Sequence, residues 1–165
     1  MLPNKEPILK IGIILPVDKR KKVHISFTEP SLYEIETDKQ LDPACKTLEM
    51  LNVSVDDGEM LITKIVADDK HGITIHDVPA GRGFHWEKTI DVALPGNLKI
   101  TNHDGHLLII NQVPFEQYLS CVAVSEMSGA CPATFLEAQT ITARSWILAA
   151  AEKKHAELRI DVCND

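Results

Sequence analysis

At 165 residues, 44% of them hydrophobic, the chain is long enough to bury one real core and falls within the usual range for one domain. A formal charge of -7 with no long basic stripe argues against a nucleic-acid binder, which needs a cationic surface to meet phosphates. No run approaches the eighteen or so continuous apolar residues of a membrane span, and the opening MLPNKEPILKIGIILPVDKRKK lacks the long apolar stretch and small-residue cleavage site of a signal peptide, so the chain reads as soluble.

The first two thirds read as short strands between turns. ILKIGIIL (8–15) and VHISF (23–27) are β-branched, and between them Asp18-Lys19-Arg20-Lys21-Lys22 reads as a solvated turn. EMLITKIV (59–66) follows Asp56-Asp57-Gly58, which predicts a hairpin-type turn. GITIH (72–76), KTIDVAL (88–94), NLKIT (97–101) and HLLIINQ (106–112) continue the pattern. The last two are joined through Asn102-His103-Asp104-Gly105, whose Asp-Gly pair favours a tight reversal. Ala80-Gly81-Arg82-Gly83 and Pro95-Gly96 mark further turns.

After Pro114 the period changes. Phe115, Tyr118, Leu119 and Val122 fall at helical spacing, predicting a short amphipathic helix over 115–126, broken at Ser128-Gly129. Pro132 suits the first turn of a second helix, because a helix's first N–H groups have no internal partner for it to remove, and good helix formers run on to about residue 154. Phe135, Ala138, Thr142, Trp146 and Ala149 share one stripe with Leu136, Ala143, Ile147 and Ala150 beside it, which predicts a long, widely buried helix. Gln139 falls inside that stripe, where a buried amide must find partners. The expected fold is α+β: a strand-rich N-terminal part with hairpins, about residues 1–80, then a core over 81–165 with one short and one long buried helix. Cys45, Cys121, Cys131 and Cys163 are too few and too irregular for a disulfide scaffold and read mostly as small buried hydrophobes.

Glu126 stands just before the break between the helices, where packing is expected to desolvate it in part. Partial desolvation disfavours the charged form and suits a carboxyl to general-acid work near neutral pH; the plain alternative is a solvated loop glutamate. A nucleophilic alternative has less behind it, since the chain carries no Gly-x-Ser-x-Gly elbow.

The string VPFEQYLSCVAVSEMSGACPATFLEAQTITARSWILAAA resembles the core of the stage II sporulation protein D family, the SpoIID/LytB domain of bacterial cell-wall enzymes. The matching elements, in order, are Val113-Pro114-Phe115-Glu116-Gln117-Tyr118-Leu119, Glu126-Met127, Pro132, Glu137-Ala138-Gln139 and Ala143-Arg144, and the resemblance runs from about residue 97 to 150. It implies a lytic transglycosylase that cleaves the bond between N-acetylmuramic acid and N-acetylglucosamine in denuded peptidoglycan glycan strands, leaving anhydro-muramoyl ends. Glu126 matches the family's catalytic acid and Arg144 a substrate-holding position; the plain reading of Arg144 is a surface or helix-pairing arginine. Gln139 either bonds a sugar amide, orients Glu126 or ties its helix to backbone. Tyr118 either lines the groove or packs with its hydroxyl at the core's edge.

No cofactor is required for that chemistry. His155 and Cys163 resemble elements that in some members bind a structural zinc together with a further downstream cysteine; two ligands cannot close a tetrahedral site, and the domain is expected to continue past residue 165. The alternative to an enzyme is a non-catalytic peptidoglycan-binding module or an enhancer of a cell-wall amidase. Either reading implies the cell envelope, outside the cytoplasmic membrane.

Overall fold

The computed structural model describes residues 5–39, 49–66, 72–149 and 155–164. Among these residues ten strands and two α-helices follow in chain order: β1 (Ile8–Ile14), β2 (Lys22–Phe27), β3 (Tyr33–Thr37), β4 (Met50–Ser54), β5 (Met60–Lys64), β6 (Ile73–Ala80), β7 (Lys88–Leu94), β8 (Asn97–His103), β9 (His106–Pro114), α1 (Phe115–Met127), α2 (Ala133–Ala149) and β10 (Val162–Cys163). The α+β class and the strand-rich N-terminal part hold. Cys45 and residues 150–154 of the expected long helix lie outside the described residues.

The strands form a six-stranded sheet, ordered β10-β1-β9-β8-β5-β3, and a four-stranded sheet, ordered β4-β2-β6-β7. Both sheets mix strands from either side of residue 80, so the two expected halves are not separate hydrogen-bonded layers. Alternation along the strands points Val23, Ile25 and Phe27 of β2 and Ile73 and Ile75 of β6 into one cluster with Ile11, Ile62, Ile100 and Ile109 of the larger sheet. The continuous apolar run in β9 has its own cause: Leu107 and Ile109 face that cluster, while Leu108 and Ile110 face a second one with Leu15 and Ile160. A strand buried on both faces has no polar side to alternate with.

The expected reversal at 102–105 joins β8 to β9 as a hairpin, with Asp104 (φ 52°) and Gly105 (φ 78°) both left-handed. The turn at 55–58 does not make a hairpin. It carries the chain from β4 in the small sheet to β5 in the large one, held by Ser54, whose Oγ accepts from the Asp56 amide and donates to Asp57 Oδ2 at 2.9 Å. Pro95-Gly96 is likewise a crossover between sheets. Gly96 has φ +76°, and a Cβ there would lie 2.4 Å from the Gln112 carbonyl oxygen, so only glycine fits. The buried Asn111 secures this passage by donating from Nδ2 to the Pro95 and Asn97 carbonyls at 2.7 and 3.0 Å.

Two further expectations fail. Asp18 is not solvated: its side chain is 4% exposed, accepts the Leu15 amide at 2.8 Å and receives two bonds from Arg82, Nε at 2.6 Å and Nη2 at 2.8 Å. Arg82 also reaches the Ile13 carbonyl and Asn164 Oδ1, so the β6–β7 turn is locked to both β1 and the β10 end. Nor is α2 widely buried. Its apolar residues are spread around the cylinder, and α1 with the sheet covers one side only, leaving no described residue of α2 buried and Phe135, Ile141, Trp146 and Leu148 exposed. The cysteines too lie outside the core, Cys121 exposed and Cys131 and Cys163 half-buried.

Candidate active site

Helix α1 docks on the sheets through Phe115, Leu119 and Ala123, spaced four residues apart so that they share one face. It ends at Ser128, whose left-handed φ of 70° turns the chain while its amide donates to the Val124 carbonyl at 3.0 Å. Cys131 closes the turn from the other side, its Sγ donating to the Met127 carbonyl at 2.6 Å. Pro132 then starts α2, accepting from the amides of Phe135 and Leu136. The outcome is an antiparallel helix pair in which Ala143 and Ile147 pack against the core beside Tyr118.

Two polar bridges cross this pair. Near the turn, Gln139 Nε2 donates to Glu126 Oε2 at 2.7 Å. At the far end, Arg144 forks onto Glu116, Nε to Oε1 at 3.3 Å and Nη2 to Oε2 at 2.5 Å. Ten residues of α1 separate the two carboxylates, about 15 Å along the axis at 1.5 Å per residue. The structure therefore joins Glu126 with Gln139 and sets Arg144 apart from them. Of the roles open to Gln139, orienting Glu126 matches the observed bond.

The expected desolvation of Glu126 is not found; the residue is exposed, because α2 crosses beside it and does not cover it. An open depression of about 490 Å³ on α2 is lined by Leu136, Glu137, Thr140, Ile141 and Arg144, with Ala133 at its end and without Glu126. Tyr118 is half-buried at the core's edge. Burial, then the charge of Glu126, then that of Cys163 push its phenol above the usual value of 10.0, which keeps the hydroxyl protonated and available as a donor. Those charges also place Tyr118, Glu126 and Cys163 within electrostatic reach of one another.

Among the described residues no group of three or more His, Cys, Asp or Glu side chains converges, and His155 Nδ1 faces Glu157 Oε1 at 3.5 Å. His155 and Cys163 are two ligands, fewer than the four of a closed tetrahedral site.

A second polar cluster escaped the sequence reading because its members are far apart in the chain. On the outer face of the small sheet, Ser26 Oγ meets His76 Nε2 at 2.8 Å and His76 Nδ1 meets Asp91 Oδ2 at 2.8 Å, with the Asp77 amide also on Asp91 at 3.2 Å. The hydrogen bond from His76, then that from Asp77, hold Asp91 below the usual 3.8. With the Asp91 side chain 60% exposed, this set is a solvent-facing tie across β2, β6 and β7.

Residues 103–165 match the family model described as stage II sporulation protein, SpoIID. The match covers less than half of the chain, and that segment is similar to SpoIID. No curated protein and no solved structure matches the chain. The SpoIID segment takes in both helices, β9 and β10, hence Tyr118, Glu126, Gln139, Arg144 and Cys163 together. The similarity to SpoIID is compatible with a cell-wall function. No helix of the described residues is long and apolar enough to cross a membrane.

Proposed function

We propose that the protein is a peptidoglycan lytic transglycosylase with Glu126 as its acid and base, acting on glycan strands in the cell envelope. The observation that carries this reading is the Gln139–Glu126 bond within the SpoIID segment. A single amide donor on Oε2 fixes the carboxyl rotamer and leaves Oε1 for the substrate. The protonated carboxyl gives its proton to the oxygen between N-acetylmuramic acid and N-acetylglucosamine, and the bond from that oxygen to the muramic acid anomeric carbon breaks. The carboxylate then takes the proton of the muramic acid hydroxymethyl group as its oxygen bonds the anomeric carbon. Glu126 is thereby reprotonated and the anhydro ring is closed. One carboxyl serves both steps, so the paired-carboxylate spacing of ordinary glycosidases is not required. A bound glycan lying over Glu126 excludes the water that now surrounds it. Tyr118, with its hydroxyl kept protonated, is the adjacent donor toward the sugar.

Arg144 has a separate part. Its fork already holds a carboxylate, that of Glu116, and a lactyl carboxylate of a denuded strand has the same shape and charge. Substrate binding there exchanges one carboxylate for the other. The test is incubation with denuded glycan strands and mass spectrometry for anhydro-muramoyl ends. Ends formed by the wild type and absent with Glu126→Gln are expected; ends produced equally by both would refute the assignment.

The exposure of Glu126 favours a second reading, a module that engages glycan or enhances a cell-wall amidase without cleaving. Glycan retention by the wild type with no anhydro ends formed selects it.

A further inference from the structure

The β6–β7 turn carries two aromatic rings into solvent. Phe84 is 61% and Trp86 52% exposed, and the rings stack with centroids 5.4 Å apart at 16°. Large apolar side chains exposed singly need no explanation, but a stacked and immobilised pair does. The immobilisation is specific. Gly81 (φ +71°) lies against the Trp86 ring so closely that a Cβ would fall 2.2 Å from it. The Phe84 amide donates to the Gly81 carbonyl at 3.0 Å, the Glu87 amide to the Phe84 carbonyl at 3.1 Å, and the Gly83 amide to Glu87 Oε2 at 2.9 Å. Arg82 bolts the loop's base to Asp18, Ile13 and Asn164. Asn164 directly follows β10, so the loop is rooted at that edge of the larger sheet.

We propose that Phe84 and Trp86 form a glycan-stacking platform, a binding site for pyranose rings distinct from the Glu126 centre. The ligand class rests on the glycan reading above. A pyranose has an apolar face of C–H groups, whose partial positive charge suits the negative face of an aromatic ring, and a hydroxyl rim that suits polar neighbours. Exposed His85, Glu87 and Lys88 supply that polar surround. The pair is too small for a stable protein interface, and a chain of charge -7 is repelled by anionic lipid. Because the rings are already ordered, little freedom is lost when a sugar stacks on them.

The test uses Trp146→Phe, which leaves Trp86 as the single tryptophan of the two in the chain. Titration with a soluble N-acetylglucosamine oligomer is expected to change Trp86 fluorescence saturably. Phe84→Ala, which removes a mostly exposed ring, should weaken binding about tenfold, with unchanged circular dichroism. Calorimetry on Trp86→Ala should show binding at this site lost, while a change of an exposed apolar residue elsewhere, Ile65→Ala, keeps the affinity within about twofold of wild type. No saturable change in the Trp146→Phe protein overturns the platform, as does an affinity equal to the wild type's in both Phe84→Ala and Trp86→Ala. Self-association lost in Phe84→Ala with oligomer affinity intact overturns it in favour of a protein contact. Binding through Trp86 without anhydro ends in the cleavage assay leaves the platform standing and removes the catalytic reading, so the two fail separately.

Discussion

Ile62 in β5 and Ile141 in α2 are the same side chain in opposite circumstances, the first 0% and the second 60% exposed. Around Ile62 two sheets close on a shared cluster, and even the polar groups there are paired, as in Asp18 with Arg82 and Asn111 with two carbonyls. Around Ile141 a helix lies on the protein with one side open, and its polar bridges, Gln139 to Glu126 and Arg144 to Glu116, are accessible to water. The contrast separates the scaffold from the surface proposed to meet the substrate. Groups that hold the fold are dry and multiply bonded, whereas groups that would meet a substrate keep a free lone pair or an exchangeable partner.

The largest expected break in that contrast comes from Arg82→Ala, which strands the Asp18 carboxylate in a nearly dry site and should remove about 3–5 kcal/mol of stability in urea unfolding. Ile62→Ala should follow at about 2–5 kcal/mol, since the two sheets cannot collapse onto the cavity, whereas Ile141→Ala should stay within about 0.5 kcal/mol of wild type. Comparable losses at the two isoleucines would erase the distinction between the regions. On the working surface the expectation inverts. Gln139→Ala should leave the unfolding midpoint almost unmoved yet slow anhydro-end formation by roughly tenfold to a hundredfold, because Glu126 loses its orienting bond.

The smallest effects are titrations. Tyr118 is raised above 10.0, so the stability that its protonated form carries is full below that pH and declines as pH rises through the higher folded value. Glu126→Gln removes one of the raising causes, and the tyrosinate absorbance should then grow in at lower pH while staying above 10.0 because burial persists. An unmoved Tyr118 titration would place Glu126 out of its reach. Asp91 runs the other way. Its lowered value gives stability that is present above 3.8 and lost as pH falls through the folded value, and His76→Ala should bring its carboxyl titration, followed by nuclear magnetic resonance, back up toward 3.8.

Much of the fold was legible because it is local. The apolar strands, the Asp104-Gly105 reversal and the change of period at Pro114 each rest on the conformational preferences of a few neighbouring residues. β3, β4 and β10 were missed: YEIET and MLNVS alternate, but over only five residues with two or three apolar ones each, and two-residue β10 is a strand only because β1 lies beside it. Glu126 was found through an ordered string of elements spanning the helix pair. Its bond to Gln139, thirteen residues on, depends on the two helices folding back in one register.

By itself the sequence determined which segments extend, where the chain turns, and which carboxylate stands at the helix break, since backbone preference and spacing act over a few residues. Only the tertiary structure decided that Asp56-Gly58 crosses between sheets, that Asp18 is sealed under Arg82, that Arg144 answers to Glu116, and that α2 keeps an open side. Each of those outcomes depends on which distant surfaces meet, and removal of water from a side chain is a property of the meeting, not of the residue.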